Sequence, residues 1–349
     1  MTKKSVCILF GGVSSEHDIS IISAKTVIEN IDREKFDISI IGITKTGEWY
    51  FFEGDLPDKN WREHAHCRAI ISPDRAMKGI IKFDGDKTEF IHIDAVYPVL
   101  HGKNGEDGTV QGLCALAGIP IIGSGVIGSA VCMDKCIAKV LFKNAGVPVV
   151  PWLEYRRSDE ISYEEIEEKL GYPCFVKPCN AGSSVGITKA HNLEELKAGI
   201  KLAFSHDYKV LIEEAINPRE IESAVMGNYE IVVAENLGEI LPAKDFYDFE
   251  AKYEDENSGL LIPAPLDDEV KNKIKEYAAA AYRAAECRGF ARVDFLVCKD
   301  TGRIFLNEIN SLPGFTSISM YPKLWADSSV ALPELITRHI ELAIDLGAE

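Results

Sequence analysis

The first third of the chain alternates short apolar segments with amphipathic ones, and this alternation restricts its possible folds more than any other feature. The segments VCILF, ISIIGI and AVYPVL have the apolar, β-branched character of buried strands. The segments ISAKTVIENI and VQGLCALAGI show helical periodicity, and each follows one of these strands. Because parallel strands are joined by helical crossovers, the pattern predicts a parallel sheet with helices packed on it.

The remainder of the chain is predicted to form two further units that mix strands and helices. We divide the α/β fold into an N-terminal domain at residues 1–122, a central domain at 123–215 and a C-terminal domain at 216–349. The segment SAVCMDKCIAKVLFKNAG is predicted to be one helix that opens the central domain. The loop 245–265 shows no periodicity, and loops of such length in compact domains are usually functional lids or disordered segments. We interpret it as a lid.

Composition excludes several classes of protein. The formal net charge is −17 and the Lys and Arg residues are scattered, whereas nucleic-acid binding needs a basic surface. No apolar run approaches the roughly 20 residues of a membrane helix, and the run in MTKKSVCILFGG is shorter than the roughly 7–15 apolar residues of a signal peptide. The nine cysteines include no CxxC pair, which indicates reduced thiols. We therefore expect a cytoplasmic protein that binds neither nucleic acid nor membrane.

The sequence RVDFLVCKDTGRIFLNEIN predicts two strands around a DTG turn, with oxygen-bearing side chains on one face. If Lys299 pairs with Arg303 across the turn, Asp294 lies opposite Glu308. Asn310 is two residues beyond Glu308, so it lies on the same face. Carboxylate and amide oxygens suit Mg²⁺, which also takes phosphate oxygens. The alternative is a solvated polar face of a hairpin, and the apolar character of the opposite face favours the metal site.

The stretch CFVKPCNAGSSVGI ends an apolar strand at Lys177 and continues into a loop of small residues. Such a loop exposes backbone N–H groups that cradle phosphate oxygens, and Ser183 and Ser184 add hydroxyl donors. The lysine precedes the glycines, unlike in the GxxxxGK[ST] loop. An ordinary hairpin turn is the alternative interpretation of this segment.

Acidic and imidazole side chains follow other predicted strands. Glu213, Glu214 and Glu220 lie at and beyond the end of the strand VLIEEAI, where they either hold a ribose or an adenine amino group or form a charged surface. Glu16 follows the first strand after two glycines, at the edge where α/β proteins bind ligands. It either caps a helix or binds an ammonium group. His101 ends another strand, where a structural role is equally open.

Taken together, these motifs resemble the D-alanine–D-alanine ligase family of ATP-grasp enzymes. The resemblance extends from FGGVSSEHDIS to NEINSLPGFTSISMYP and includes VLHGKNGEDGTVQG, MDK, LIEEAI, DFYDFEAKY and ARVDF, so it covers nearly the whole chain. It implies a three-domain ATP-grasp architecture, in which a parallel α/β domain is followed by two α+β domains that sandwich ATP. It also implies an ATP-dependent ligase that joins two D-alanines for peptidoglycan precursor synthesis, through an acyl phosphate and a tetrahedral intermediate. Two Mg²⁺ ions, with Mn²⁺ as a substitute, and a homodimer are further implications.

The resemblance also implies roles for individual residues. The residues implied to contact ATP are Lys135, Lys177, Ser184, Glu213, Glu214, Ile216, Glu220, Phe246 and Lys252. Those implied to bind the metal ions are Asp294, Glu308 and Asn310. Those implied to act at the reacting groups are Glu16, Ser183, Tyr253, Arg292 and Gly314. Those implied to contact the amino-acid substrates are His101, Ser319 and Met320.

The identity of the second substrate depends on a few positions. The lid motif reads EAKY with Tyr253, where D-lactate ligases often have His, and SMYP carries Met320, where many resistance ligases have Arg. The resemblance therefore implies D-alanine in the second position. The alternative is a D-alanine–D-serine or D-lactate ligase of the vancomycin-resistance type, because FDISIIGITKTGEWY and LHGKNGEDG also resemble D-serine-type ligases. Ser311 and Ile318 depart from the family pattern near this subsite.

Two other functions compete with this interpretation. A different ATP-grasp ligase, such as one resembling glutathione synthetase, would release ADP with other amino acids than D-alanine. A non-catalytic nucleotide sensor would have lost the metal carboxylates or the lid lysine, and this sequence keeps both.

Overall fold

The computed structural model describes residues 2–182, 185–241 and 259–348, and within them three β-sheets follow one another along the chain. Five predicted site residues therefore lie outside the described part, namely Ser183, Ser184, Phe246, Lys252 and Tyr253. Of the predicted lid, residues 259–265 are described.

The first sheet has seven strands among the described residues and combines parallel with antiparallel pairing. Its strands are β1 Lys4–Gly11, β2 Phe36–Ile43, β3 Trp49–Phe51, β4 Arg68–Ile71, β5 Gly79–Asp84, β6 Lys87–His92 and β7 Ala95–Leu100. The order is β6-β5-β4-β3-β2-β1-β7, in which β2, β1 and β7 are parallel and the other pairs are antiparallel. Its helices are α1 His17–Asn30 and α2 Thr109–Ala117, and a 3₁₀ helix spans Trp61–His64. The predicted parallel sheet forms one side, and the antiparallel strands β3 to β6 extend it.

The second sheet has four antiparallel strands among the described residues, in the order β10-β9-β11-β8. Its strands are β8 Trp152–Arg156, β9 Cys174–Pro178, β10 Thr188–Ala190 and β11 Lys209–Glu214. The helices α5 Tyr163–Leu170 and α6 Leu193–His206 accompany this sheet. The helices α3 Val126–Met133 and α4 Lys135–Asn144 precede it in the chain and share a buried cluster with Ile274 and Leu306 of the C-terminal part. The segment predicted as one helix is divided between α3 and α4 at Asp134. The backbone there is extended, and its carboxylate caps α4 by accepting from the amides of Cys136 and Ile137.

The third sheet is antiparallel, with the order β15-β14-β12-β16-β17 and a short strand β13 paired to β12. Its strands are β12 Pro218–Met226, β13 Val232–Val233, β14 Gly238–Leu241, β15 Gly259–Leu261, β16 Phe290–Cys298 and β17 Ile304–Asn310. The accompanying helices are α7 Asp268–Ala284, α8 Met320–Asp327 and α9 Leu332–Leu346. Strand β15 lies within the predicted lid and pairs with β14, so the end of that loop is ordered by the sheet.

A buried cluster connects the first sheet to the third, and we call it the aromatic joint. It consists of Tyr97 on β7, Phe290 on β16, Phe315, Tyr321 on α8 and His339 on α9. The imidazole of His339 is hydrogen-bonded through both nitrogens to the hydroxyls of Tyr97 and Tyr321, each at 3.0 Å. The Phe290 ring stacks on it with centroids 4.0 Å apart. The joint therefore holds the two sheets together through a fully bonded polar group inside apolar packing.

Each sheet lies inside one of the three predicted domains, while the boundaries at 122/123 and 215/216 stay a prediction. Across the described ranges, the helices are too short or too polar to traverse a lipid bilayer.

Candidate active site

A cavity of about 1100 Å³ lies where the three sheets approach one another. The first sheet contributes Glu16 and His101 from the segments that follow β1 and β7. The second sheet contributes Lys177 from β9, and the third contributes Asp294 and Glu308 from β16 and β17. The cavity therefore collects candidate residues that are far apart in the sequence.

The hairpin of β16 and β17 brings the predicted metal ligands together. Asp294 lies directly opposite Glu308, as the sequence pattern predicts. Asn310 follows on the same strand as Glu308, and all three line the cavity. Ile309, between the latter two, is buried in the apolar core on the opposite face. The three oxygen-bearing side chains thus form one wall of the cavity.

The register nearer the turn differs from the prediction. Lys299 donates its amide to the carbonyl of Asn217, and Arg303 instead accepts from the amide of Cys298, so the predicted pairing of Lys299 with Arg303 is wrong. A β-bulge beside Asp294 shifts the register by one residue and restores the alignment of the carboxylates. Bulges are frequent next to active sites, where they re-aim side chains.

Arg292 lies among these acids and compensates part of their charge. Its guanidinium donates to both oxygens of Asp294, at 2.8 and 2.7 Å, and lies 3.0 Å from Glu222. The side-chain amide of Asn310 also donates to Asp294, at 2.8 Å. Burial alone would lower the pKa of Arg292, but the charges of Asp294 and Glu222 outweigh it and raise that pKa well above its ordinary value. The guanidinium is a permanent cation in the wall of the cavity.

The donor set of this wall fits a hard divalent cation. Carboxylate and amide oxygens are the ligands that Mg²⁺ takes together with phosphate oxygens. Among the described residues, the carboxylates of Asp294 and Glu308 converge on this wall. A divalent cation between Asp294, Glu308 and Asn310 would balance them.

Two lysines reach the cavity from α4 and β9. Lys135, the first residue of α4, donates its ammonium to the carbonyl of Ala181 at 2.7 Å. Lys177 forms an ion pair with Glu213. A Cβ atom added at Gly182 would lie 3.2 Å from a carboxylate oxygen of Glu16, so the small-residue loop begins close to the first sheet. The two lysines and the described start of the loop therefore border the same cavity as the acidic hairpin.

Behind Lys177 lies a buried charge cluster that sequence reasoning missed. The carboxylate of Glu213 is shared by Lys177 on one oxygen and Lys139 on the other, the latter at 3.0 Å. Burial tends to raise the pKa of Glu213, but the two ammonium groups outweigh it and lower that pKa to about 2. Lys139 is one helical turn after Lys135 on α4, and this spacing could have identified it as a neighbour of the site.

Glu16 lies in the part of the cavity formed by the first sheet and is buried. Gly102, with φ +70°, approaches it so closely that a Cβ atom would lie 2.9 Å from its carboxylate and 2.8 Å from the hydroxyl of Ser14. His101 is held by Ser23, whose hydroxyl is 3.1 Å from its Nε2 atom. Burial lowers the pKa of His101 against the raising effect of Glu16, which favours a neutral imidazole. This part of the cavity thus presents one carboxylate and one neutral ring.

Glu106 is a second residue that the sequence analysis did not select. It lines the cavity and accepts from the amide of Gly102 at 2.7 Å. Burial, reinforced by the charge of Glu16, raises the pKa of Glu106 to about 8. Its neighbour Asp107 accepts from the amides of Asn104 and Thr109 at the start of α2, so that acid has a structural role. A carboxyl group with a shifted pKa beside a cavity is typical of functional sites, and no pattern in the sequence indicates such a shift.

The segment between β17 and α8 forms the remaining wall. The hydroxyl of Ser319 accepts from the amide of Thr316 at 3.0 Å, and a Cβ atom at Gly314 would lie 2.9 Å from it. Ile318 lines the cavity and is 50% exposed. Met320 also borders the cavity, but it is only 3% exposed and packs against Gly238. Ile318 is therefore the more accessible of the two apolar side chains.

The other predicted nucleotide contacts follow the end of β11. The residues Glu214, Ile216 and Glu220 line the cavity. Ser183, Ser184, Phe246, Lys252 and Tyr253 are outside the described residues, and their roles stay predictions.

Solved structures with the same fold identify the class of protein. The structure titled VanG D-Ala:D-Ser ligase, from Enterococcus faecalis, is 41% identical, with a TM-score of 0.89 over 98% of this chain and 100% of that one. The structure of the D-alanine–D-alanine ligase from Coxiella burnetii is 34% identical, with a TM-score of 0.83 over 99% of this chain and 95% of that one. The fold is that of the ATP-grasp enzymes.

Sequence comparison narrows the class to a family. Residues 5–124 match the family described as D-ala D-ala ligase N-terminus, and residues 141–341 match D-ala D-ala ligase C-terminus. Relatives named D-alanine–D-alanine ligase include one from Caldicellulosiruptor bescii, 51% identical over 99% of this chain and 96% of the relative, and one from Clostridium acetobutylicum, 51% identical over 98% of each. The chain belongs to the D-alanine–D-alanine ligase family, whose members use ATP and typically Mg²⁺.

Proposed function

We propose that this protein is an ATP-dependent ligase that joins two D-alanines into D-alanyl-D-alanine, a peptidoglycan precursor, through an acyl phosphate and a tetrahedral intermediate. The observation that carries the proposal is the composition of one cavity. Lys135 and Lys177 line it from α4 and β9, the carboxylates of Asp294 and Glu308 line it from the hairpin of β16 and β17, and Glu16 lines it from the segment after β1. Membership of the family and the printed names of the curated relatives support it.

ATP is proposed to bind between the second and third sheets. Lys135 and Lys177 would contact its phosphates, because their ammonium groups reach the cavity beside the small-residue loop. The adenine and ribose would lie against the end of β11, where the lining residues are Glu213, Glu214, Ile216 and Glu220. Phe246, packing on the base, and Lys252, at the γ-phosphate, are proposed from the family resemblance.

Asp294, Glu308 and Asn310 would hold two Mg²⁺ ions, with Mn²⁺ as a substitute. When bound, the ions would neutralise charge on the phosphate oxygens. Arg292 is the permanent cation beside them. Together with the N–H group of Gly314, it would stabilise the negative oxygen of the tetrahedral intermediate.

The first D-alanine is proposed to bind at the end of the cavity formed by the first sheet. The carboxylate of Glu16 would hold its ammonium group, and Ser183 and Tyr253 would complete this hydrogen-bonded set. His101, neutral and fixed by Ser23, would pack beside the substrate without adding charge. The carboxylate of this D-alanine would then face the γ-phosphate and the hairpin of β16 and β17, as phosphoryl transfer requires.

The second amino acid is proposed to be D-alanine, with its carboxylate at Ser319. The wall at this subsite includes Met320 and the more exposed Ile318, both apolar. The relatives named D-alanine–D-alanine ligase favour D-alanine. The structural likeness to a protein titled D-Ala:D-Ser ligase supports D-serine as the alternative. D-lactate is an alternative from the family resemblance alone.

We further propose a cytoplasmic homodimer. All nine cysteines are buried free thiols, which suits a reducing compartment. Leu116 on α2 and Ile127 on α3 are large apolar side chains exposed by 67% and 63%, and a second copy would cover them. Light scattering tests this proposal, and a monomer at working concentration would refute it.

A phosphate-release assay tests the proposed function. With ATP and Mg²⁺, release should depend on D-alanine and should not occur with L-alanine. Addition of D-serine or D-lactate to D-alanine, with products identified by mass spectrometry, distinguishes the alternatives. Release with L-amino acids and not with D-alanine would indicate a different ATP-grasp ligase, and nucleotide binding without turnover would indicate a sensor.

A further inference from the structure

A buried lysine behind the cavity has no role in the function proposed above. The side chain of Lys139 is 3% exposed, and its ammonium group lies 3.0 Å from Glu213 and 3.4 Å from the carbonyl of Val150. It also lies over the ring of Trp152, 5.7 Å from its centroid. Burying an ammonium group is unfavourable unless charged and polar partners compensate it. The burial of this ammonium group therefore requires an explanation beyond packing.

The arrangement around Glu213 provides one. Lys139 and Lys177 take the two different oxygens of the same carboxylate. Their exposures differ, since the Lys177 side chain is 14% exposed and lines the cavity, whereas Lys139 is buried on the inner side. The cluster has two positive charges and one negative charge, and its excess positive charge faces the cavity through Lys177.

Without the inner lysine the balance would change. Glu213 and Lys177 alone would form a neutral pair, and the phosphates of a nucleotide would compete with the carboxylate for the same ammonium group. In a partly buried site one such charge interaction is strong enough to change affinity severalfold. We propose that Lys139 is a positioning residue for nucleotide binding, which neutralises Glu213 and so leaves the charge of Lys177 available to phosphate. This inference rests on the proposed binding of ATP in the cavity.

The ionisation of the cluster is consistent with this role. The ammonium groups hold the pKa of Glu213 at about 2 against the raising effect of burial, so the carboxylate stays negative across the working pH range. Burial lowers the pKa of Lys139, and Glu213 counteracts that effect. Since Lys139 is enclosed behind the carboxylate, its charge acts on the ligand through Glu213.

The test compares the binding of ATP and adenosine by calorimetry. The ratio of the two dissociation constants measures the phosphate contribution and cancels changes at the adenine. Four variants form a charge series with the wild type, namely Lys139→Met, Glu213→Gln, the double variant and Lys143→Met. Lys143→Met is the matched control, because it removes the same charge from an exposed position on the same helix.

The expected ratios follow the net charge of the cluster. Lys139→Met should reduce the preference for ATP over adenosine by roughly tenfold, a loss of about 1.4 kcal/mol. Glu213→Gln should increase it, and the double variant should return it to near the wild-type value. The Lys143→Met control should stay within about twofold of wild type.

A flat series in folded proteins, with the wild type still preferring ATP, would overturn the role of Lys139 and leave the proposed function intact. A wild-type protein that binds adenosine as tightly as ATP would overturn the nucleotide site and this inference with it. If Lys139→Met does not fold, the other three proteins still test the role. The preference for ATP over adenosine should then be higher in Glu213→Gln than in the wild type and the double variant. Equal preferences in all three would refute the role.

Discussion

The cavity lining and the aromatic joint both bury polar groups, but they satisfy them by opposite means. In the cavity, Arg292 is ion-paired with Asp294, and Glu213 is ion-paired with Lys177 and Lys139. In the joint, the polar group is neutral, because burial lowers the pKa of His339 to about 3. Its two tyrosine partners are hydrogen-bonded within apolar packing.

The difference indicates what each region contributes. Charges balanced by other charges can change partners when a phosphate or a cation enters, so the lining is suited to binding at a cost in desolvation. A neutral hydrogen-bonded group packed by aromatic rings has no such exchange, and it contributes mainly to stability. Substitutions in the two regions should therefore separate activity from stability.

The largest effect is expected in the lining, from Glu308→Gln. The change removes the negative charge of a proposed metal ligand while keeping the size of the side chain. Turnover should fall by roughly a thousandfold, as expected when about 4 kcal/mol of transition-state stabilisation is lost. Steady-state phosphate release measures the loss, and the melting temperature should remain near the wild-type value. Full activity in this variant would contradict the metal assignment. Glu276→Gln, the same change at an exposed position of α7, is the control and should behave as wild type.

The next largest effect is expected in the joint, from His339→Leu. This substitution leaves the hydroxyls of Tyr97 and Tyr321 without their buried partner. The free energy of unfolding should fall by about 3 kcal/mol, measured by denaturant titration. The KM for ATP should stay within about twofold of wild type, because the joint lies outside the proposed nucleotide site.

His92→Leu provides the matched control for this prediction, since His92 is an exposed histidine on β6. It should change the unfolding free energy by less than about 0.5 kcal/mol. An equal loss of unfolding free energy in both variants would show that His339 contributes no more to stability than an exposed histidine.

A smaller effect is expected from pH on the same histidine. In the folded protein His339 binds its proton with a pKa of about 3, whereas the unfolded chain has the ordinary value of about 6.5. Between these values the unfolded state binds more protons, so this contribution is present above about pH 6.5 and is lost as the pH falls toward 3. As the pH falls from 6.5 to 4.5, the wild type should therefore lose about 2 kcal/mol more unfolding free energy than His339→Gln. Parallel pH profiles for the two proteins would exclude a buried neutral histidine.

The smallest effect is expected from Met320→Leu at the rim of the lining. Because Met320 packs against Gly238 and is almost fully buried, the preference for D-alanine over D-serine should change by less than about twofold. Ile318→Ala, at the exposed neighbour, should change that preference more. Competition assays with both amino acids measure it, and a larger change from Met320→Leu would assign the second subsite to the methionine.

Local patterns in the sequence predicted the parts of this protein that depend on local geometry. The alternation along β16 and β17 places Asp294 opposite Glu308, and the strand–helix alternation predicts the parallel part of the first sheet. The bulge beside Asp294 and the break between α3 and α4 at Asp134 were missed, because both depend on single hydrogen-bonding choices inside regular patterns.

Residues whose importance comes from distant partners were also missed. Lys139 is an ordinary helical lysine until the fold brings it to Glu213, and Glu106 is an ordinary acid until burial raises its pKa. Alternation and periodicity reveal which face a residue occupies, whereas its partner across the fold is a tertiary property. The motif resemblance identified the family, whereas the partners of Lys139 and the burial of Glu106 became visible only in the structure.

The most direct test of the proposed ligase reaction follows oxygen atoms. Phosphorylation of a carboxylate transfers one of its oxygens to phosphate when the amine of the second substrate displaces it. With ATP, Mg²⁺ and D-alanine labelled with ¹⁸O in its carboxylate, mass spectrometry should find D-alanyl-D-alanine and phosphate that carries one ¹⁸O atom. Unlabelled phosphate, or ADP formed without dipeptide, would contradict the account.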